Sequence, residues 1–170
     1  QYLETINKDE KEILFKAIKD NGYKWNAETK TLEELPKFKV GDWIVFNGLT
    51  LYVKEIVKGF YRTISKGDGI ANSYDWGIDN AARLWAIQDA KDGDVLCTYE
   101  CNEPKIVFIL KGTPKKHYAL SYHCYYNIIY PYFSGSEKGC LVSNEEDVKP
   151  ATKEQRDLLF AKMHEAGYLW

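Results

Sequence analysis

Val40-Gly41-Asp42-Trp43-Ile44-Val45, continued by Leu51-Tyr52-Val53-Lys54-Glu55-Ile56-Val57-Lys58-Gly59, decides the fold, because its pattern returns later in the chain. The echo is Asp92-Gly93-Asp94-Val95-Leu96-Cys97, continued by Lys105-Ile106-Val107-Phe108-Ile109-Leu110-Lys111-Gly112. A Gly-Asp turn ahead of a short apolar run, with another Gly closing the next run, reads as antiparallel strands joined by tight turns. A Gly-Asp pair at the start of an apolar strand is common in SH3-like barrels. Two such patterns predict two small antiparallel β barrels or sheets in tandem.

Outward from these stretches lies a second repeat. Lys8-Asp9-Glu10-Lys11-Glu12-Ile13-Leu14-Phe15, running on to Gly22-Tyr23-Lys24-Trp25, aligns without a gap on Lys153-Glu154-Gln155-Arg156-Asp157-Leu158-Leu159-Phe160, running on to Gly167-Tyr168-Leu169-Trp170. Each copy reads as an amphipathic helix. Asn7 and Thr152 stand at the N-cap, with Glu10 and Gln155 three residues on, which is the spacing of a capping box. Ile13, Leu14, Ala17 and Ile18 share one face, and Leu158, Leu159 and Met163 share its counterpart. Gly22 and Gly167 supply the left-handed residue that ends a helix. The repeat predicts two alike helices, each followed by a turn and a buried Trp. Tyr23–Trp25 and Thr31–Leu35 flank a turn and predict a hairpin after the first helix. The second copy stops where its hairpin would begin, so the natural chain is expected to continue, or to have lost that tail; beginning at Gln1, it reads as processed or as an excerpt.

The expected class is therefore α+β: two β modules bracketed by two helix–turn segments. The expected boundaries are 1–36 for helix plus hairpin, 37–88 and 89–150 for the β modules, and 151–170 for the repeated helix. Ile78 to Gln88 reads equally as a short helical connector or a closing strand.

Composition excludes several classes. With 45% hydrophobic, 28% charged and 15% aromatic residues, the chain can fill a core and is not of disordered type. No apolar run approaches the roughly 20 residues that span a bilayer. No signal peptide is visible. A net charge of −2 argues against nucleic-acid binding driven by bulk electrostatics. Cys97, Cys101, Cys124 and Cys140 all lie in the second half. Four cysteines in that distribution read as reduced thiols of a cytoplasmic protein, without disulfides.

Candidate chemistry is sparse. Zinc needs four converging ligands, usually as two close pairs. Cys97 and Cys101 make one pair, but Cys124 and Cys140 are far apart, and His123 and Cys124 would point to opposite faces of a strand. A Cys140 nucleophile with His117 or His123 lacks any surrounding signature. Glu145-Glu146-Asp147 reads as a solvated charge run and Gly67-Asp68-Gly69 as a turn. No Walker or Rossmann fingerprint occurs. The expectation is no enzyme, no cofactor and no metal.

The richest feature is aromatic. Tyr118, Tyr122, Tyr125, Tyr126, Tyr130, Tyr132 and Phe133 follow closely on Lys115, Lys116 and His117. Tyr118, Tyr122 and Tyr126 share one strand parity, so part of the set is expected in the core and part on the surface. The six tyrosines with Lys115 and Lys116 are the candidate binding residues.

Two resemblances follow from these residues. The segment from Pro150 to Phe160 with its Gly-Tyr-Leu-Trp ending, together with Phe38–Val45 and Leu84–Leu96, resembles modular repeat proteins of gut Bacteroides-type bacteria and their phages, a family that brings no established activity. It implies a bacterial or phage cytoplasmic setting. More weakly, a helix followed by Gly-Tyr-Lys-Trp-Asn is similar to helix–hairpin modules of some phage and plasmid replication proteins, which implies nucleic-acid metabolism. The leading functional expectation is a binding module for another protein, such as a phage or mobile-element factor engaging a host protein. The alternative is a nucleic-acid-binding accessory protein.

Overall fold

A computed structural model describes residues 7–66, 69–114, 119–136, 140–141 and 144–170. The chain begins with α1 (Lys8–Asp20), followed by a hairpin of β1 (Tyr23–Asn26) and β2 (Thr31–Glu34). Its capping box is made: Glu10 N–H donates to the Asn7 side chain, and Asn7 N–H donates to Glu10, each at 2.9 Å. Gly22 takes φ +81°, and its carbonyl accepts from Leu35 N–H at 2.7 Å, which ties the far end of the hairpin to the helix end. No residue of α1 is buried.

The first sheet holds β3 (Trp43–Phe46), β4 (Leu49–Val57), β5 (Phe60–Ser65), β6 (Ala71–Asp75) and β7 (Arg83–Leu84), all antiparallel, in the order β6-β5-β4-β3-β7. Asn47 and Gly48 both have positive φ, so β3 and β4 meet through the two-residue turn whose twist suits a hairpin. Phe38, Ile44, Leu51, Val53, Tyr61, Ile78 and Ala82 form its core. A polar knot closes one end of that core. The buried Tyr61 hydroxyl donates to Asp79 at 2.7 Å and accepts from Phe38 N–H at 3.2 Å. Lys37 Nζ donates to the Asp79 and Ala82 carbonyls at 2.6 and 2.8 Å. The ambiguous Ile78–Gln88 stretch contains both readings in turn: the end of a 3-10 turn over Trp76–Asn80, then strand β7, then a 3-10 turn beginning at Ile87.

The second sheet holds β8 (Val95–Glu100), β9 (Glu103–Leu110), β10 (Leu120–Asn127), β11 (Tyr132–Ser134), β12 (Cys140–Leu141) and β13 (Val148–Pro150). Its order is β11-β10-β9-β8-β13, with β12 also on β10. Among the described residues neither sheet closes on itself, so the units are open antiparallel sheets rather than barrels. Their opening turns are alike in detail. Gly41 and Gly93 take φ +94° and +84°. Asp42 and Asp94 accept from Lys39 and Lys91 N–H at 2.7 and 2.9 Å. Gly41 N–H donates to the Val53 carbonyl and Gly93 N–H to the Leu110 carbonyl, each at 2.9 Å. The Asp side chain thus locks the turn, and Gly supplies the backbone conformation that other residues resist.

Both faces of the second sheet are covered. Ile87, Ala90, Leu96, Phe108, Leu110, Leu120, Tyr122 and Val148 form one cluster. Val95, Cys97, Val107, Ile109, Cys124 and Tyr126 form the other, beneath α2 (Lys153–Glu165), which contributes Leu159 and Met163. Like α1, α2 has a capping box, between Thr152 and Gln155, and a left-handed Gly, Gly167 at φ +80°. The expected buried Trp is corrected in both copies: Trp25 and Trp170 are exposed, at 42% and 64%. Trp25 pairs with Leu32 across the two-stranded β1–β2 hairpin, and Trp170 lies beyond the end of α2.

Candidate functional site

The aromatic stretch of the second unit divides three ways. Tyr118, Lys115, Lys116 and His117 lie outside the described residues. Tyr122 and Tyr126 are buried, which removes them from the expected contact surface. They also sit in different cores, against the parity expectation. The cause is a bulge: Tyr122 pairs with Leu110 and Cys124 with Ile109, so His123 is an extra residue that turns the rest of β10 over.

The remaining tyrosines reach solvent at the β10–β11 end. Tyr130 is 74% and Tyr132 60% exposed, and Tyr125 is half-buried. Tyr125 bridges the buried and exposed rings, lying edge-on to Tyr122 at 5.0 Å and 6.3 Å from Tyr132. β11 is the outer strand of its sheet, so Tyr132 and Phe133 project from its two faces. Phe133 stacks on Tyr168 at 5.6 Å, from the segment that follows α2. Tyr168 N–H donates to the Met163 carbonyl at 2.9 Å, and its ring lies so close over Gly135 that a Cβ there would be 2.5 Å away. Trp170 rests on His123 at 5.0 Å, and His123 in turn contacts Asp92 at 3.1 Å. Gly112 N–H donates to the same Asp92 oxygen, and these two contacts hold its carboxyl below the usual carboxylate range. The edge of β11 and the post-helix segment therefore form a rim of aromatic rings, mounted on the sheet and on α2. Sequence reading found Tyr130 and Tyr132 but missed Tyr168 and Trp170, whose place in the rim depends on how α2 docks.

A second feature was not legible in the sequence. A cleft of about 350 Å³ lies between the first sheet and the start of α2. Trp43 and Tyr52, in ring contact at 5.2 Å, line it together with Lys54, Lys66, Lys153 and Arg156. Lys66 pairs with Asp94 at 2.5 Å and so links the two units across it.

The side chain of Cys140, the thiol weighed as a nucleophile, lies outside the described residues. Burial pushes Cys97 up to about 12 and Cys124 up to about 11, so both stay protonated at neutral pH. Cys101 sits with Asn102 in the β8–β9 turn, both at positive φ. The described cysteines Cys97, Cys101 and Cys124 are free, and among the described residues no three His, Cys, Asp or Glu side chains are placed to hold a metal ion. No helix among the described residues is long and apolar enough to cross a membrane.

The chain matches no protein-family model, no curated protein and no solved structure.

Proposed function

We propose that this chain is a non-enzymatic binding module whose protein partner docks on the aromatic rim of the second unit. One observation carries the reading: Tyr132 on the outer strand β11 and Tyr130 in the turn that leads into it expose most of their surface, beside the half-buried Tyr125. Rigid aromatic rings gain much contact area for little lost freedom, and partner anchors are enriched in them. β11 is also the outermost strand in the order β11-β10-β9-β8-β13, the kind of strand beside which a partner strand adds to a sheet. The order β6-β5-β4-β3-β7, with a 3-10 turn before its last strand, supports an SH3-like reading of the first unit. The resemblance to modular bacterial and phage proteins supports a cytoplasmic factor that engages a host protein. The test is capture from a bacterial lysate by the wild-type chain and by a Tyr130→Ala, Tyr132→Ala variant. A specific partner should be held by the first and lost by the second, with each true anchor costing about 2 kcal/mol or more. Full retention by the folded variant would refute the rim as the contact site.

The cleft favours a second reading, a nucleic-acid accessory protein. The half-buried Tyr52 beside Lys54, Lys66, Lys153 and Arg156 combines a ring that can stack on a base with cations that can meet phosphate. Salt-dependent retention on single-stranded DNA or RNA, lost in a Lys54→Ala, Lys153→Ala variant, separates this reading from the first.

A further inference from the structure

The chain carries one docked and one undocked copy of the same helix, and the docked copy shows what the other fits. In α2, Leu159 and Met163 are buried against Val95, Cys97, Val107, Ile109 and Cys124, on the face of β8–β10, with Leu158 and Phe160 packed alongside. The gapless repeat places Ile13, Leu14, Phe15 and Ile18 of α1 at the positions of Leu158, Leu159, Phe160 and Met163. All four are apolar, yet Ile13 and Leu14 are 69% and 46% exposed, and α1 buries nothing. An apolar stripe left open on a helix costs solubility and gains nothing in the monomer, so it marks a contact surface.

The polar residue at the rim of this interface has a counterpart in α1. Gln155 accepts from Thr152 N–H within the capping box and donates to the Tyr99 hydroxyl at 3.0 Å. In α1, Glu10 has the capping role, with one oxygen accepting from Asn7 N–H.

We propose that α1 is a docking helix for a further β unit of the β8–β13 kind, one whose helix-binding face carries no helix of its own. In this chain that face is covered by α2, so an intact second copy has no bare face to offer. The partner is therefore a sheet with small aliphatic or Cys residues at the places of Val95, Cys97, Val107, Ile109 and Cys124.

The test builds a bare face from this chain itself. The receiver is the full chain with Leu159→Asp and Met163→Asp, to unlatch α2, and with Leu14→Asp, to disable its own α1. The donor is the wild-type full chain. Mixed in equal amounts, they should form a one-to-one complex by analytical ultracentrifugation. The donor should also slow labelling of the receiver's Cys97 and Cys124, which lie under the docked helix, by at least about tenfold. A donor carrying Leu14→Asp keeps its fold, since Leu14 packs into no core, and should give neither effect. Should the charged receiver lose its sheet signature in circular dichroism, a receiver with Leu159→Ala, Met163→Ala and Leu14→Asp replaces it, because the second core of that sheet lies on its other face. No complex and no thiol protection with a folded receiver overturns the proposal. So does equal binding by the Leu14→Asp donor, which would mean that α2 exchange, not α1, is responsible.

Discussion

Leu14 and Leu159 are the same residue at the same place in the same helical repeat, and they should respond differently to the same substitution. Leu159 is 0% exposed and packs among Val95, Val107, Ile109 and Met163; Leu14 is 46% exposed on a helix with no buried residue. Truncating a fully buried Leu to Ala loses its transfer energy and leaves a cavity, together about 2.7–5 kcal/mol. Truncating a half-exposed Leu forfeits at most about half of the roughly 1.5–3 kcal/mol that full burial supplies, and Ala's slightly better helix propensity offsets part of that. Leu14→Ala should therefore cost below about 1 kcal/mol. In a chain of this size each kcal/mol moves the melting point by roughly 2–4 °C, so Leu159→Ala should lower it by roughly 5–20 °C. Urea unfolding followed by tryptophan fluorescence and by circular dichroism measures both variants, and an unchanged m-value licenses the comparison. Equal losses at the two sites would refute the reasoning, because they would mean that α1 is packed in the free chain. A loss at Leu159 under about 1 kcal/mol would equally refute the docking of α2.

Thiol labelling of the native protein, read by peptide mass spectrometry, should modify the exposed Cys101 at once and reach Cys97 and Cys124 only on unfolding; early labelling of either buried thiol would contradict their burial. Tyr61→Phe should cost about 1–3 kcal/mol, since it strips the Asp79 carboxylate and the Phe38 amide of a shared partner inside the first unit; a change within about 0.5 kcal/mol would show that the knot is dispensable. Asp89 receives a two-pronged contact from Arg83 at 2.5 and 2.7 Å and a bond from Ala86 N–H, and these hold its carboxyl below the usual carboxylate range. A carboxyl lowered by folding adds stability that is complete above its unfolded value of about 3.9 and is lost as pH falls through the lower folded value. Asp89→Asn should therefore flatten the acid limb of the stability curve below about pH 4, and an identical limb would remove Asp89 from the account.

Much of the local structure was legible because it is dictated by local chemistry. The Lys-x-Gly-Asp turns announce themselves twice, since each needs a carboxylate to take the amide three residues before it and a glycine to accept the turn. The helix limits follow from Asn7 and Thr152 at one end and Gly22 and Gly167 at the other. What could not be read was whatever depends on a partner distant in sequence. Nothing in Leu14 or Leu159 says which copy has a sheet to cover it. Nothing in Trp25 or Trp170 says that their rings will stay exposed.

The candidate site was half legible for a related reason. Strict alternation put Tyr122 and Tyr126 on one face, and one inserted residue, His123, put them on opposite faces. That bulge has a consequence for the rim. Before it, β10 sends Leu120 and Tyr122 into the core shared with Phe108 and Leu110. After it, β10 sends Cys124 and Tyr126 under α2, and Tyr125 moves to the first face beside Tyr122. Tyr122 and Tyr126 thus each fill a core, one on either face of the sheet. Tyr130 follows in the turn after β10, and Tyr132 pairs with Asn127 at the end of the strand, where it stands 60% exposed beside Tyr125. The bulge sets which face of the sheet Tyr125 shares with Tyr132, so restoring regular alternation by deleting His123 should rearrange the rim together with the two cores it borders.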